Sequence, residues 1–437
     1  MSSNRLSVLL LTTLASGYAI QAQAEGPAAP VAPQSFIEAV KAGKPMTNFR
    51  LRYEHVDDDV PTHTENASAL TLRSLIGWQT AAYNNFSIAA QLIDVSVFDN
   101  AYDNRDKWRP EPGRGEYPAV VDPDDTDINQ LFVEWSGLKD TKLRLGRQSV
   151  KLDNVRFIGN IEFRQVMQVF DGVALENKGL LPNTSIYLAH FERVKQISTK
   201  YQDANVEIAN VRYALSPTEN LIGYGYLVDW NGSPKASNPN SDLTSTKTFG
   251  LRLDGAHKLN DQWKALYTAE YAKQDDYKDG NENIDSHYLR LGAGAQYGDW
   301  YLRVDREDLS SNDGRSAFQT PLGTNHLFQG WTDLFLNTPN AGIQDTFITA
   351  GGKLFDIQLY AEYHWINSDE DFNSLGGTQG DSYGQEFDVS AAYTLGKWMG
   401  KMEYAHFRED DEFGSTVNAG TRKRDTEKLW LTVMYTF

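Results

Sequence analysis

The sequence predicts an all-β fold: a transmembrane antiparallel β-barrel of about 18 strands, with short periplasmic turns and long extracellular loops. Three observations carry this. The last ten residues, Lys428 to Phe437, place Leu429, Leu431, Val433, Tyr435 and Phe437 on one phase of a period-two pattern, so the chain ends on a strand with one apolar face. The same period begins at Asn48 and persists. The connections between the alternating runs are then short and long by turns, which a soluble sandwich has no reason to maintain.

From the start, Met1 to Ala24 has one positive charge at Arg5, an apolar run from Leu6 to Ile20 and Ala22-Gln23-Ala24 before Glu25, the pattern of a cleaved secretory signal. Residues 25–47 read as a short periplasmic lead, with a turn or two of helix over Ser35 to Gly43, Ser35 as N-cap and Gly43 as stop. Residues 48–437 form the barrel. Candidate strands run from Asn48–Val56 to Lys428–Phe437, among them Phe86–Phe98, Ile343–Ala350, Phe355–Trp365 and Gln385–Leu395. Short connections such as Gly298-Asp299, Gly351–Leu354 and Gly396-Lys397 carry turn residues. Long ones such as Asp99–Asp127, Ser149–Val169, Ser310–Gly342 and Ile366–Gly384 are polar, and the alternation puts both termini in the periplasm.

Composition agrees. The 437 residues are 12% aromatic, contain 34 Gly and no Cys, and have a mean hydropathy of −0.52, as expected where lipid meets only every second residue. Lack of Cys excludes a disulfide scaffold or thiolate metal site. A net charge of −18 argues against nucleic-acid binding. No run reaches the ~18 apolar residues of a spanning helix. Trp78, Trp135, Trp230, Trp263, Trp300, Trp365 and Trp398 fall near strand ends, where a membrane-interface girdle predicts them; any that turn inward would offer a sugar-stacking surface instead.

The apolar phase, for example Leu70, Leu72, Ile76 and Trp78, faces lipid, so the opposite phase lines a lumen. Arginine recurs there, as Arg50, Arg52, Arg73, Arg144, Arg212, Arg252, Arg290 and Arg303, interleaved with Glu54, Glu134, Asp254, Glu270, Asp305, Glu362, Asp388 and Glu403. Two readings stand: opposite charges pairing across strands, or a guanidinium ladder selecting anions. The loop Ser149–Val169 adds Lys151, Arg156 and Arg164 among Val155, Phe157, Ile158 and Phe163. Its apolar residues, and those of Ser310–Gly342, need burial, either folded into a wide barrel or packed over its rim. Acidic runs at Asp57–Asp59, at Asp122, Asp124, Asp125 and Asp127, and at Glu409–Glu412 lack the twelve-residue calcium-loop pattern and read as solvated rim charge. No metal or cofactor is expected.

The run Leu145-Gly146-Arg147-Gln148, Leu152-Asp153-Asn154, Arg156-Phe157-Ile158-Gly159-Asn160, Phe163-Arg164-Gln165 and Phe170-Asp171-Gly172 resembles the bacterial alginate export family. So do Phe318 to Thr324 continuing through His326, Gly330, Trp331, Asp333, Leu336, Thr338 and Pro339, and Asp425 to Trp430. The resemblance covers nearly all the mature chain. It implies a monomeric outer-membrane barrel of a Gram-negative bacterium, in contact with lipid and lipopolysaccharide, with an arginine-rich, anion-selective constriction for a polyuronate such as alginate. A periplasmic secretion partner is compatible with it. It also implies that Arg147 joins the constriction, although Arg147 falls on the lipid phase of an unbroken strand. Asp153, Asn154, Asp171, His326, Trp331 and Asp333 are expected to anchor loops.

Other functions compete. A general or small-organic-solute porin needs the same barrel and no polyuronate role. A barrel hydrolase is remote, because none of the eight His lies in a G-x-S-x-G or H-E-x-x-H context. A plugged transporter would need more than the residues before Asn48.

Overall fold

The computed structural model describes residues 32–104, 115–230, 245–373, 379–411 and 425–437. The expected export signal, residues 1–24, and Glu412 lie outside them. A short helix α1 (Phe36–Lys41) follows Ser35, whose Oγ accepts from Glu38 N at 3.2 Å. The two-residue strand β1 (Lys44–Pro45) pairs with Trp78 and Gln79. Trp78 Nε1 also donates to Val40 O at 2.8 Å, so one girdle indole fastens the helix to the barrel foot.

Eighteen long strands complete the sheet: β2 (Asn48–Asp58), β3 (Ala67–Gln79), β4 (Phe86–Ala101), β5 (Asp125–Trp135), β6 (Thr141–Gln148), β7 (Val169–Asn177), β8 (Thr184–Lys195), β9 (Tyr201–Ser216), β10 (Glu219–Trp230), β11 (Thr246–Lys258), β12 (Trp263–Asp276), β13 (Asp285–Tyr297), β14 (Trp300–Leu309), β15 (Ile343–Leu354), β16 (Ile357–Asn373), β17 (Gln379–Leu395), β18 (Trp398–Glu409) and β19 (Thr426–Thr436). Each pairs antiparallel with its neighbours in sequence, and β19 closes onto β2 with Leu431 opposite Tyr53 and Met434 opposite Arg50. Closure removes the free edges that an open sheet would expose. The barrel of about 18 strands is therefore borne out.

The two phases separate as the sequence predicts. Leu145, Leu251, Leu302 and Met402 point outward, uncovered by protein, while Arg50, Arg52, Glu54 and Trp430 point inward and are buried. Trp230 differs from the expected girdle. It is 3% exposed on the inward phase of β10, among Tyr226, Val228 and the loop side chains.

Three boundaries also differ. β16 and β17 run on to Asn373 and from Gln379, through much of the expected loop Ile366–Gly384. Beyond the membrane both faces of a hairpin meet water, so the apolar alternation that marks a spanning strand fades. β4 likewise extends to Ala101. The turn expected at Gly351–Leu354 instead falls at Phe355-Asp356, both at positive φ. Gly351 and Gly352 lie within β15, where Tyr301 and Trp300 leave no room for a side chain; a Cβ there would come within 2.5 Å of the Tyr301 hydroxyl and 2.3 Å of the Trp300 ring.

The loop-filled lumen as candidate functional site

Two long connections fill the barrel. Residues 149–168 link β6 to β7, and residues 310–342 link β14 to β15. Phe157 sits 5.2 Å from both Tyr224 and Tyr288, which project inward from β10 and β13, and 5.9 Å from Phe318 of the second loop. The loops also bind each other: Gly159 N donates to Leu322 O at 2.8 Å and Thr324 N to Val155 O at 2.9 Å. Val155 and Ile161 hold φ of 59° and 50°. β-Branched residues in that region carry about 1–2 kcal/mol of strain each, so the packing overrides local preference.

Most lumen arginines are engaged. Arg252 meets Asp254 and Glu270, each at 3.1 Å. Arg290 and Arg303 share Asp305 at 3.3 Å and 2.8 Å. Arg144 pairs with Glu134 at 2.7 Å. In the first loop, Arg156 is 1% exposed and donates to Glu307 at 2.8 Å, Gln329 at 2.9 Å and Asn325 at 3.2 Å, with its guanidinium 4.6 Å from the Phe328 ring centre. Arg164 binds Glu54 at 3.0 Å and Asp333 at 3.2 Å. Of the cations in the first loop Lys151 is the open one, with 55% of its side chain exposed beside Glu162 at 3.0 Å.

Three inward arginines differ. Arg50 of β2 stands directly opposite Arg73 of β3, with Arg52 next on the same face. Among the described residues none of the three has a carboxylate within 4.0 Å. Arg50 instead donates to the carbonyls of Glu162 (2.8 Å) and Arg164 (2.5 Å), and Arg52 to that of Phe163 (2.6 Å). Carbonyls orient a guanidinium without neutralising it. Arg73 gives one bond, to Asn48 at 3.0 Å, and its buried Nε and Nη1 have no partner.

Beneath the second loop the charge reverses. His326 stacks on Phe163 and bonds Asp333 at 2.8 Å, and Asp333 also meets Lys428 at 3.3 Å. Trp331 stacks on Tyr360 with ring centres 5.5 Å apart. Beyond them the wall of β15 to β17 presents Asp345, Glu362, Glu386 and Asp388, all buried, around His364.

A family model for alginate export matches residues 46–304, more than half of the chain. The chain belongs to the alginate export family. Among solved structures this family member resembles OpdL of Pseudomonas aeruginosa (13% identity, 91% of this chain and 99% of that chain, TM-score 0.65), the outer membrane protein OpdK of the same organism (14%, 91% and 98%, 0.65) and OccAB3 of Acinetobacter baumannii (13%, 91% and 100%, 0.66). At that identity the likeness concerns the fold, which is that of outer-membrane porins. A comparison with curated proteins finds no match. This member of the alginate export family is thus a porin-type barrel of the Gram-negative outer membrane.

Several expected site residues sit elsewhere than anticipated. Arg147 is not in the lumen. β6 keeps unbroken register from Thr141 to Gln148, so Arg147 shares the outward phase of Leu143 and Leu145 and binds Asp171 at 2.7 Å and Tyr201 at 2.8 Å on the outer rim. Asp171 is therefore a strand-to-strand contact and not a loop anchor. Arg156 and Arg164 are inside but hold the loops. Asp153 accepts from Asn210 at 2.6 Å and Arg212 at 2.9 Å. Asn154 accepts only a 3.4 Å contact from Arg156 N, and its buried Nδ2 has no partner. Of the acidic runs, Asp122 receives Gln165 N at 2.8 Å, and Asp125 and Asp127 clasp Lys195 at 2.7 Å and 2.8 Å.

Glu362, His364 and Asp388 form a buried cluster that the sequence did not single out. Its sequence signal is Glu362-x-His364 on one strand phase; Asp388 stands opposite Glu362 only through the pairing of β16 with β17.

Proposed function

We propose that this member of the alginate export family is a passive channel for carboxylate-bearing solutes, selected by the Arg50, Arg52 and Arg73 patch. The observation that carries this is the direct opposition of Arg50 and Arg73. Like charges facing each other across strands destabilise a sheet, and a counter-ion delivered by the passing solute relieves that repulsion. Arg50, Arg52 and Arg73 are 6%, 3% and 1% exposed, so their uncompensated charge reaches a carboxylate-bearing solute as a field and not by direct contact. Lys151 on the adjoining loop extends the positive field toward the lumen. Family membership favours a polyuronate such as alginate. A second reading is a small organic acid, favoured by the two packed loops that narrow the lumen; a solved relative of the same fold is OpdK with vanillate. The relatives are porins and not enzymes, and we read this chain the same way. It acts as a monomer in contact with lipid and lipopolysaccharide, open to a periplasmic secretion partner.

The test is the reversal potential of single channels under a salt gradient, for wild type and Arg73→Ala. Anion preference that falls in the variant supports the patch; cation preference in the wild type overturns it. Blockade by oligouronates but not by vanillate assigns the polymer, and the reverse assigns the small acid.

A further inference from the structure

We infer that Glu362, His364 and Asp388 form a binding site for a divalent first-row transition-metal cation that clamps the second loop to the barrel wall. The three side chains are buried, and their donor atoms lie within 4.8 Å of one another. His364 Nδ1 is 2.8 Å from Asp345 Oδ2. A carboxylate there accepts, so Nδ1 carries a proton, and Nε2 is the free ligand position of the ring.

That Nε2 is 2% exposed with its residue and has no hydrogen-bond partner. It stands 3.6 Å from Glu362 Oε2 and 3.7 Å from Asp388 Oδ2, almost equidistant. An N–H bond to either carboxylate would draw one oxygen to about 2.7–2.9 Å. Ligands held about 2.0–2.2 Å from a tetrahedral metal instead stand roughly 3.4 Å apart, and the 3.6 Å and 3.7 Å from Nε2 lie nearer to that than to a hydrogen bond. A metal also fits the charge. Among the described residues, Asp345, Glu362, Glu386 and Asp388 have no Lys or Arg within 4.0 Å, and buried carboxylates without compensation are costly. One His nitrogen with two carboxylate oxygens is a donor set suited to zinc or cobalt rather than calcium. Asp345 plays the orienting role that carboxylates play behind metal-bound histidines.

The site reaches the loop directly. Asp388 Oδ2 accepts Trp331 N at 3.3 Å, and Glu386 accepts Thr332 N at 2.7 Å and Thr332 Oγ1 at 2.6 Å. Neutralising Asp388 and its neighbour with a cation steadies the backbone at 330–332, and with it the loop that narrows the lumen.

The experiment refolds the full chain in detergent with Co²⁺, removes loosely held ion on a chelating resin, and reads retained cobalt by mass spectrometry and its visible d–d bands. About one equivalent with tetrahedral-type bands is expected for wild type, and an affinity lower by about 10–100-fold for Asp345→Asn. His364→Ala should lose the bands, and His406→Ala should keep them. Wild type that folds and retains no cobalt, or bands that persist in His364→Ala, would overturn the site in favour of shared protons. Should His364→Ala fail to fold, the wild-type spectrum and Glu362→Gln decide.

Discussion

Arg156 and Glu307, 151 positions apart in sequence, meet at 2.8 Å inside the barrel with both side chains sealed from solvent. This pair ties the first loop to β14, and Gln329, bonded to both, adds the second loop. A residue expected to greet the solute is thus a rivet.

Removing one side of that rivet should cost more than removing both. Arg156→Ala leaves the buried Glu307 carboxylate without its cation, at about 3–5 kcal/mol, and releases the loop, so single-channel conductance should rise and become noisy. Arg156→Met with Glu307→Gln should recover much of the quiet state. Unchanged conductance in Arg156→Ala would contradict the anchoring role.

Arg147→Ala should leave ion selectivity untouched. The side chain lies on the outer face, half-buried, with its guanidinium forked onto both Asp171 oxygens, so its loss falls on rim stability and not on the charge of the lumen. A reversal potential that moves toward cations would place Arg147 in the conduction path after all.

Acid should loosen the second loop. Burial lowers the proton affinity of the His326 ring against the pull of Asp333. Burial would raise the Asp333 carboxyl, yet the His326 ring, Lys428 and Arg164 outweigh it and hold it well below the usual range. Both groups bind protons less readily folded than unfolded. Their stabilisation is therefore full above the unfolded imidazole value of about 6.5 and falls with pH, first through His326 and then, below about 4, through Asp333. Gating events in single-channel records should become more frequent as pH drops through that window, and a flat record from neutral to acid would refute the coupling.

Gly330→Ala should displace the second loop without adding or removing a charge. Gly330 holds φ +85°, and a Cβ there would fall 2.2 Å from the Glu386 carboxyl carbon. The strained backbone alone costs about 1–3 kcal/mol. Protease nicking within 325–335 should accelerate while heat resistance of the barrel stays near wild type; equal nicking rates would argue against this.

Legibility in the sequence followed range. The strand count, the outward phase through Leu429, Leu431 and Val433, and the helix cap at Ser35 were readable, because alternation and capping depend on neighbours within a few residues. The candidate site was readable as types and not as roles. The inward arginines were named, but whether each meets a carboxylate, a carbonyl or none depends on register and on where a loop lands. Arg73 and Arg252 look alike in sequence; one faces Arg50 and the other faces Glu270.

By itself, then, the sequence determined that this chain closes a membrane-facing barrel and that its lumen is charged, since period-two hydropathy sorts every strand residue to lipid or interior. Only the tertiary structure decided that Arg147 faces out, that Trp230 faces in, that Arg156 and Arg164 hold loops, and that His364 joins Glu362 and Asp388. Each of those depends on strand register or on contacts between segments distant in the chain, and no local pattern encodes them.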